Sequence, residues 1–216
     1  MRTRDFRWIW LYTAAVLLGM TPRGEAPLGT SGAPAAEPAR PVCVLVVYHS
    51  RRGNTERMAE AVAEGARRVK GTAVTVRKVQ DATKEDLAAA DGLLLGCPTY
   101  FANIPGVMKT AMDDWNWKWK VDFTDKVGGA FSTGGGQTGG KEHVVASLLL
   151  FMLSNRMVVA GPLYSNDAGT DVWGEPGSSA MTGPLDPGVQ EGELDAARRL
   201  GERIARLAGK LHGAKR

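Results

Sequence analysis

Val42-Cys-Val-Leu-Val-Val-Tyr-His-Ser-Arg-Arg-Gly-Asn-Thr55 decides how this chain is read. Val42 to Tyr48 is a nearly unbroken apolar run rich in valine, the pattern of a strand buried on both faces. Ser50 to Thr55 is polar and contains Gly53. From Asn54 to Val69 the spacing becomes helical, with Met58, Val62, Ala66 and Val69 on one side. A helix start leaves backbone N–H groups unpartnered and carries a partial positive charge. Such an end suits a phosphate. Ser50 and Thr55 add hydroxyls, and Gly53 lets the backbone curl round an anion. Taken alone, the segment also fits an ordinary capped turn. Neither Gly-x-Gly-x-x-Gly nor Gly-Lys-Ser/Thr is present in it, so it is not a dinucleotide or nucleoside-triphosphate loop.

Downstream, short apolar runs keep alternating with amphipathic ones. Ala73–Val79, Asp91–Gly96, Val127–Ser132 and Met157–Ala160 read as strands. A short helix closes over Leu87–Ala90. Ile104–Trp115 reads as a helix with Asn103 as N-cap and Pro105 in its first turn. Gly140–Asn155 and Leu194–Leu211 are helical, the latter strongly amphipathic. This alternation predicts an α/β fold, a parallel sheet with helices on both faces, as one domain over residues 41–212 without internal repeats. Thr170–Gly188, rich in Gly and Pro, reads as a lid or an interface loop.

In open parallel sheets ligands bind beyond the carboxyl ends of the strands. Two more loops of unusual composition fall there. Cys97-Pro-Thr-Tyr-Phe-Ala-Asn103 places two aromatics at a strand end, where they cover the sheet edge or contact a flat ring system. Ser132-Thr-Gly-Gly-Gly-Gln-Thr-Gly-Gly140 gives a backbone able to approach a ligand closely and to offer N–H donors to the polar edge of a heterocycle. One loop for a phosphate, one for an aromatic surface and one for backbone donors describe a site for a flat cofactor with a phosphate tail.

The loops Ser50–Thr55, Pro98–Phe101 and Ser132–Gln137, in that order and on those strand ends, resemble the flavin sites of flavodoxin-like NAD(P)H:quinone oxidoreductases, most of all the group called tryptophan-repressor-binding proteins. The stretch Gly96-Cys-Pro-Thr-Tyr-Phe-Ala-Asn-Ile-Pro-Gly-Val-Met-Lys-Thr-Ala-Met-Asp113 is especially similar to that group, and the resemblance runs from Val42 to Leu211. It implies a flavodoxin-like three-layer sandwich with a five-stranded parallel sheet of order 2-1-3-4-5 and bound FMN. It implies two-electron transfer from NAD(P)H to a quinone or similar acceptor, and homo-oligomers, dimers or tetramers. The flavin-binding residues it implies are Ser50, Arg51, Arg52, Gly53, Asn54 and Thr55; Pro98, Thr99, Tyr100 and Phe101; and Ser132, Thr133, Gly134, Gly135, Gly136 and Gln137. The chain departs from the pattern at Asn155, where many members carry a histidine near the flavin, and at Arg52, where an aromatic often stands. Both positions border the nicotinamide and quinone pocket, so donor and acceptor choice stay open.

Hydride chemistry belongs to the flavin, so no catalytic side chain is required and none is assigned; no metal site is expected either. His143 reads as a surface histidine. Trp115, Trp117 and Trp119 read as pocket wall, oligomer interface or core; on a helix, 115 and 119 share a face. Cys43 and Cys97 start and follow different strands, too far apart for a disulfide. The alternative function is a flavodoxin-type electron carrier, but such carriers are strongly acidic. Here the net charge is +4, and residues 1–40, with five Arg against three acids, hold half of it. The remaining excess is too small to indicate nucleic-acid binding.

Residues 1–40 read as a leader and linker. Arg2, Arg4 and Arg7 precede the uncharged run Trp8–Met20, of signal-peptide length and too short for a membrane span, followed by a Pro/Ala/Gly-rich stretch. A cleaved signal exports the domain to the periplasm. An uncleaved one anchors it facing out, with membrane association through residues 8–20. A non-functional leader leaves it cytoplasmic.

Overall fold

The computed structural model describes residues 40–163, 176–183, 185 and 188–214. The expectations for residues 1–39, and part of those for the Thr170–Gly188 loop, lie outside them. The elements run β1 (Val42–Tyr48), α1 (Asn54–Arg67), β2 (Thr72–Lys78), α2 (Lys84–Ala89), β3 (Gly92–Pro98), α3 (Gly106–Trp117), β4 (Val127–Gly134), α4 (Lys141–Ser154), β5 (Val158–Val159), β6 (Ser178–Met181) and α5 (Glu191–Ala214).

The sheet is parallel, with the order β2-β1-β3-β4-β5 expected of a flavodoxin-like fold. Its central strands are apolar because both faces are covered. On one face Val44, Val46, Leu94 and Phe131 pack with Met58 and Val62 of α1 and Leu200 and Ile204 of α5. On the other, Leu45, Val47, Leu93 and Leu95 pack with Leu87 of α2, Met108 and Trp115 of α3, and Leu148 and Met152 of α4. Helices α1 and α5 touch backbone to backbone. A Cβ on Gly65 would stand 1.8 Å from the Arg198 carbonyl oxygen, and one on Gly201 the same distance from that of Val62. This contact fixes the height of α1, and with it the loop at its start.

Two expectations are corrected. The fifth strand does not run over Met157–Ala160. It stops after Val158–Val159, and β6 takes up the same edge of β4, pairing Phe131–Gly134 with Ser178–Met181. Gly161-Pro162 follow β5 directly, and proline cannot donate to a ladder, so one strand position is filled by two segments. Helix α3 begins at Gly106, not Ile104, with Pro105 as its extended N-cap. Proline disfavours helical backbone in the residue before it, so Ile104 cannot join. The Asn103 carboxamide instead accepts from the Ile104 N–H at 2.8 Å.

At the amino end of the sheet, one carboxylate gathers several polar groups, although His212 Nε2 is buried without a hydrogen-bond partner. Asp91 accepts both guanidinium nitrogens of Arg40 at 2.8 and 2.9 Å and the Cys43 N–H at 2.9 Å, with His212 Nδ1 at 3.8 Å. Burial raises the Asp91 carboxyl, but the Arg40 and Cys43 hydrogen bonds and the Arg40 charge outweigh it and hold it below the usual carboxylate range. Cys43 lies at this end; Cys97 lies near the other, and burial pushes its thiol up to about 12.

Candidate functional site

The loop after β1 forms because a strand must turn into α1 within five residues. Gly53, at φ 91°, is the N-cap of α1, a left-handed conformation costly for other residues. Its N–H donates to Ser50 Oγ at 3.1 Å, closing the loop. Glu56, an acid in the first turn of α1, would repel a phosphate there. It is drawn aside: Tyr48 Oη donates to Glu56 Oε1 at 2.5 Å, and Lys78 Nζ lies 3.8 Å from the same oxygen. Burial and this carboxylate raise the Tyr48 phenol well above its ordinary value.

The loop after β3 folds back on itself. Tyr100 N–H donates to Asn103 O at 2.9 Å and Asn103 N–H to Tyr100 O at 3.1 Å. The two residues between, Phe101 and Ala102, have φ of 51° and 59°. Such a turn normally uses Gly, Asn or Asp, so it stores strain of about 1–2 kcal/mol per residue. The Tyr100 ring is steadied by His49, edge to face with centroids 6.1 Å apart. Burial lowers the His49 pKa, favouring the neutral ring.

The loop after β4 is tied to both others. Thr133 Oγ1 lies 2.8 Å from Thr55 Oγ1, a buried hydroxyl pair joining the first and third loops. Thr99 N–H donates to Thr133 O at 2.8 Å, and Thr99 Oγ1 to Gly139 O at 3.2 Å. Gly140, at φ 90°, presses against the strained turn; a Cβ there would stand 2.6 Å from Ala102 Cα.

Between the loops lies a cleft of about 250 Å³, lined by Ser50, Arg51, Arg52, Asn54, Thr55, Pro98, Thr99, Tyr100, Thr133, Gly134, Gly135, Thr182 and Gly183. The expected residues are thus largely brought together. Gly53 shapes the loop from behind. Phe101 stands fully exposed at the apex of its turn, away from the lining. Ser132 is buried, its hydroxyl donating to Cys97 O at 2.9 Å within the sheet. Gly136 and Gln137 lie beyond the lining; the Gln137 carbonyl accepts from Lys141 Nζ at 3.5 Å. Thr182 and Gly183 escaped the sequence reading, because the strand that delivers them is four small residues inside a Gly/Pro-rich stretch. Thr182 is anchored through its N–H, which donates to Gly134 O at 2.8 Å. Trp115 and Trp119 line a separate groove of about 330 Å³ beside α3, while Trp117 is exposed.

The cleft suits a flavin with a phosphate tail. Among the described residues its lining holds no carboxylate, and two guanidinium groups stand at its rim. The Tyr100 hydroxyl is buried without a hydrogen-bond partner. Phosphate would sit against Ser50, Thr55 and the start of α1, and the ring between Tyr100 and Gly134–Gly135. Sheet order and loop placement define a flavodoxin-like FMN-binding protein.

Residues 42–171 match the family described as NADPH-dependent FMN reductase, and the chain belongs to that family of flavodoxin-like oxidoreductases. It is 39% identical over 168 residues to a flavodoxin of Aquifex aeolicus, covering 75% of this chain and 84% of that one. It is 32% identical over 201 residues to an NAD(P)H dehydrogenase (quinone) of Geobacter sulfurreducens, covering 79% of this chain and 99% of the other. Among solved structures, a flavodoxin, WrbA-like protein from Agrobacterium tumefaciens superposes with a TM-score of 0.61 at 28% identity, covering 78% of this chain and 98% of that one. The protein binds FMN and is an oxidoreductase of this fold.

Proposed function

We propose that the protein is an NAD(P)H:quinone oxidoreductase. One observation carries this reading: the cleft presents Arg51 and Arg52 at its rim and, among the described residues, no carboxylate. A one-electron carrier works best when acidic surroundings disfavour a doubly reduced, charged flavin and guide partner docking. Basic surroundings do the opposite, and they attract anionic nucleotides. The overall reaction consumes NAD(P)H, one proton and the quinone, and yields NAD(P)⁺ and the quinol. Bound FMN supplies the two-electron capacity that no side chain has. The chain's own residues position it. Thr55 and Thr133 lock the phosphate loop to the glycine loop, and His49 holds the Tyr100 ring. The buried Cys97 thiol is too weakly acidic to serve as a nucleophile.

The test is anaerobic mixing of the FMN-loaded protein with NADPH or NADH, followed by a panel of quinones. Bleaching by either nucleotide, then reoxidation with one quinol formed per nucleotide, supports the proposal. Bleaching by dithionite but by neither nucleotide overturns it. The second reading, an electron carrier, is favoured by the similarity to the Aquifex flavodoxin. Accumulation of a half-reduced flavin during dithionite titration would support that reading instead.

A further inference from the structure

Lys141 is the one charged residue among the described residues whose burial is nearly complete, at 6% exposure. Taking an ammonium out of water is costly unless something compensates it. Its partner is Glu142, with Nζ to Oε1 at 2.7 Å, but the Glu142 side chain is 49% exposed. The anionic half of the pair therefore faces solvent and is screened, while the cationic half is enclosed. The Lys141 hydrogen bond and charge hold the Glu142 carboxyl below its usual range against the opposing effect of burial.

The stem that carries the enclosed charge packs beside the cleft residue Gly134, and Nζ also donates to the Gln137 carbonyl of the glycine loop at 3.5 Å. A Cβ on Gly134 would meet Thr99 Cγ2 at 2.8 Å and Lys141 Cβ and Cδ at 3.7 Å each, so the lysine stem packs with Thr99 against the backbone of Gly134, which lines the cleft. Lys141 is also the first residue of α4, whose N-cap, Gly140, offers no side-chain cap to the terminal N–H groups. Ammonium and helix terminus thus place positive charge of two origins at the base of the glycine loop.

We propose that Lys141 is a fixed counter-charge for the flavin, stabilising the negatively charged reduced ring over the neutral oxidised one through the wall at Gly134. The inference rests on FMN occupying this cleft, as the proposed function requires. It adds the residue that sets the direction of the cofactor's preference. A cation in low-dielectric surroundings is felt across such a wall, whereas one in water is not. Glu142 offsets part of this charge from the solvent side, and the described lining holds no acid to offset the rest.

The experiment is spectroelectrochemical titration of the FMN-loaded full chain and its variants. The two-electron midpoint potential, relative to free FMN, gives the ratio of affinities for reduced and oxidised flavin. Lys141→Gln and Lys141→Met should cut the wild-type preference for reduced FMN by about tenfold, the scale of one partly screened charge. Lys141→Arg should retain it. Glu142→Gln, at a half-exposed carboxylate, should move the ratio the other way, by about threefold. A merely structural lysine would weaken both affinities together and leave the ratio unchanged, which would overturn the inference. If the Lys141 variants do not fold, an unchanged ratio in Glu142→Gln overturns it equally. Quinone turnover by the wild type with an unaltered ratio in the variants rejects the counter-charge but keeps the oxidoreductase. An altered ratio without turnover does the reverse.

Discussion

The two ends of the sheet treat polar groups in opposite ways. At the amino end, Asp91 gathers Arg40, the Cys43 N–H and His212 into one set that ties distant parts of the chain together. At the carboxyl end, the nearby acids are turned aside: Glu56 is held by Tyr48 and Lys78, and Glu142 by Lys141. The first arrangement contributes stability, its carboxylate engaged by Arg40 and the Cys43 N–H. The second keeps donors facing a cleft, with strain stored in the turn that walls it. Substitutions at the two ends should therefore separate folding from flavin binding.

The largest effect is expected at the glycine loop. Gly140→Ala combines a strained φ with a clash against Ala102, and should lower stability by about 2–4 kcal/mol and weaken FMN binding. Urea unfolding with a flavin titration checks both; a variant as stable as the wild type would show that the loops do not interlock. Next comes Asp91→Ala. Leaving its partners unsatisfied should cost about 1–3 kcal/mol in unfolding experiments while the FMN Kd stays put. A large change in Kd would break the contrast between the ends.

The same carboxylate gives a pH signature. Its folded pKa is depressed, so its stabilisation is present above the unfolded value of about 3.9 and fades as pH falls through the lower folded value. The stability gap between wild type and Asp91→Asn should be flat at neutral pH and close in acid. Thr55→Val, which removes one member of the hydroxyl pair, should weaken FMN by about fivefold to tenfold, or roughly 1 kcal/mol. The smallest effect is a gain. Replacing Phe101-Ala102 by Asn-Gly should stabilise the protein by about 1 kcal/mol, because those residues accept the left-handed turn. Thermal unfolding reads this directly; a loss would mean that the exposed Phe101 makes a contact.

Much of this was legible in the sequence, and the failures have physical causes. β1, β3 and β4 were plain because strands covered on both faces must be apolar along their whole length. The Ser50–Thr55 turn was plain because a strand there runs straight into a helix start. Asn103 looked like a cap because its type is right; Pro105 two residues on moved the helix start. β6 was invisible, since Ser-Ser-Ala-Met has no strand signature and is buried only by its neighbours. Thr182 and Gly183 went unseen with it. That Phe101 stands exposed at the apex of its turn was not legible, because composition does not reveal which way a turn points. Lys141 passed unnoticed because a lysine beside a glutamate at a helix start looks like solvated surface; only its enclosure sets it apart.

The divided fifth position has a consequence for how such a protein diversifies. Val158–Val159 and Ser178–Met181 are each fastened to β4 by their own ladder bonds, so the register on either side is independent of what lies between them. Of the eighteen residues between them, the ends are held, with Arg203 donating to Gly161 O at 2.8 Å; each doubling of a flexible loop adds about 0.6 kcal/mol of closure entropy. The second of these strands, β6, delivers Thr182 and Gly183 to the cleft. The fold thus lets the length of chain between two fixed ladders vary while the register of β4 with each, and the delivery of Thr182 and Gly183, stays as it is.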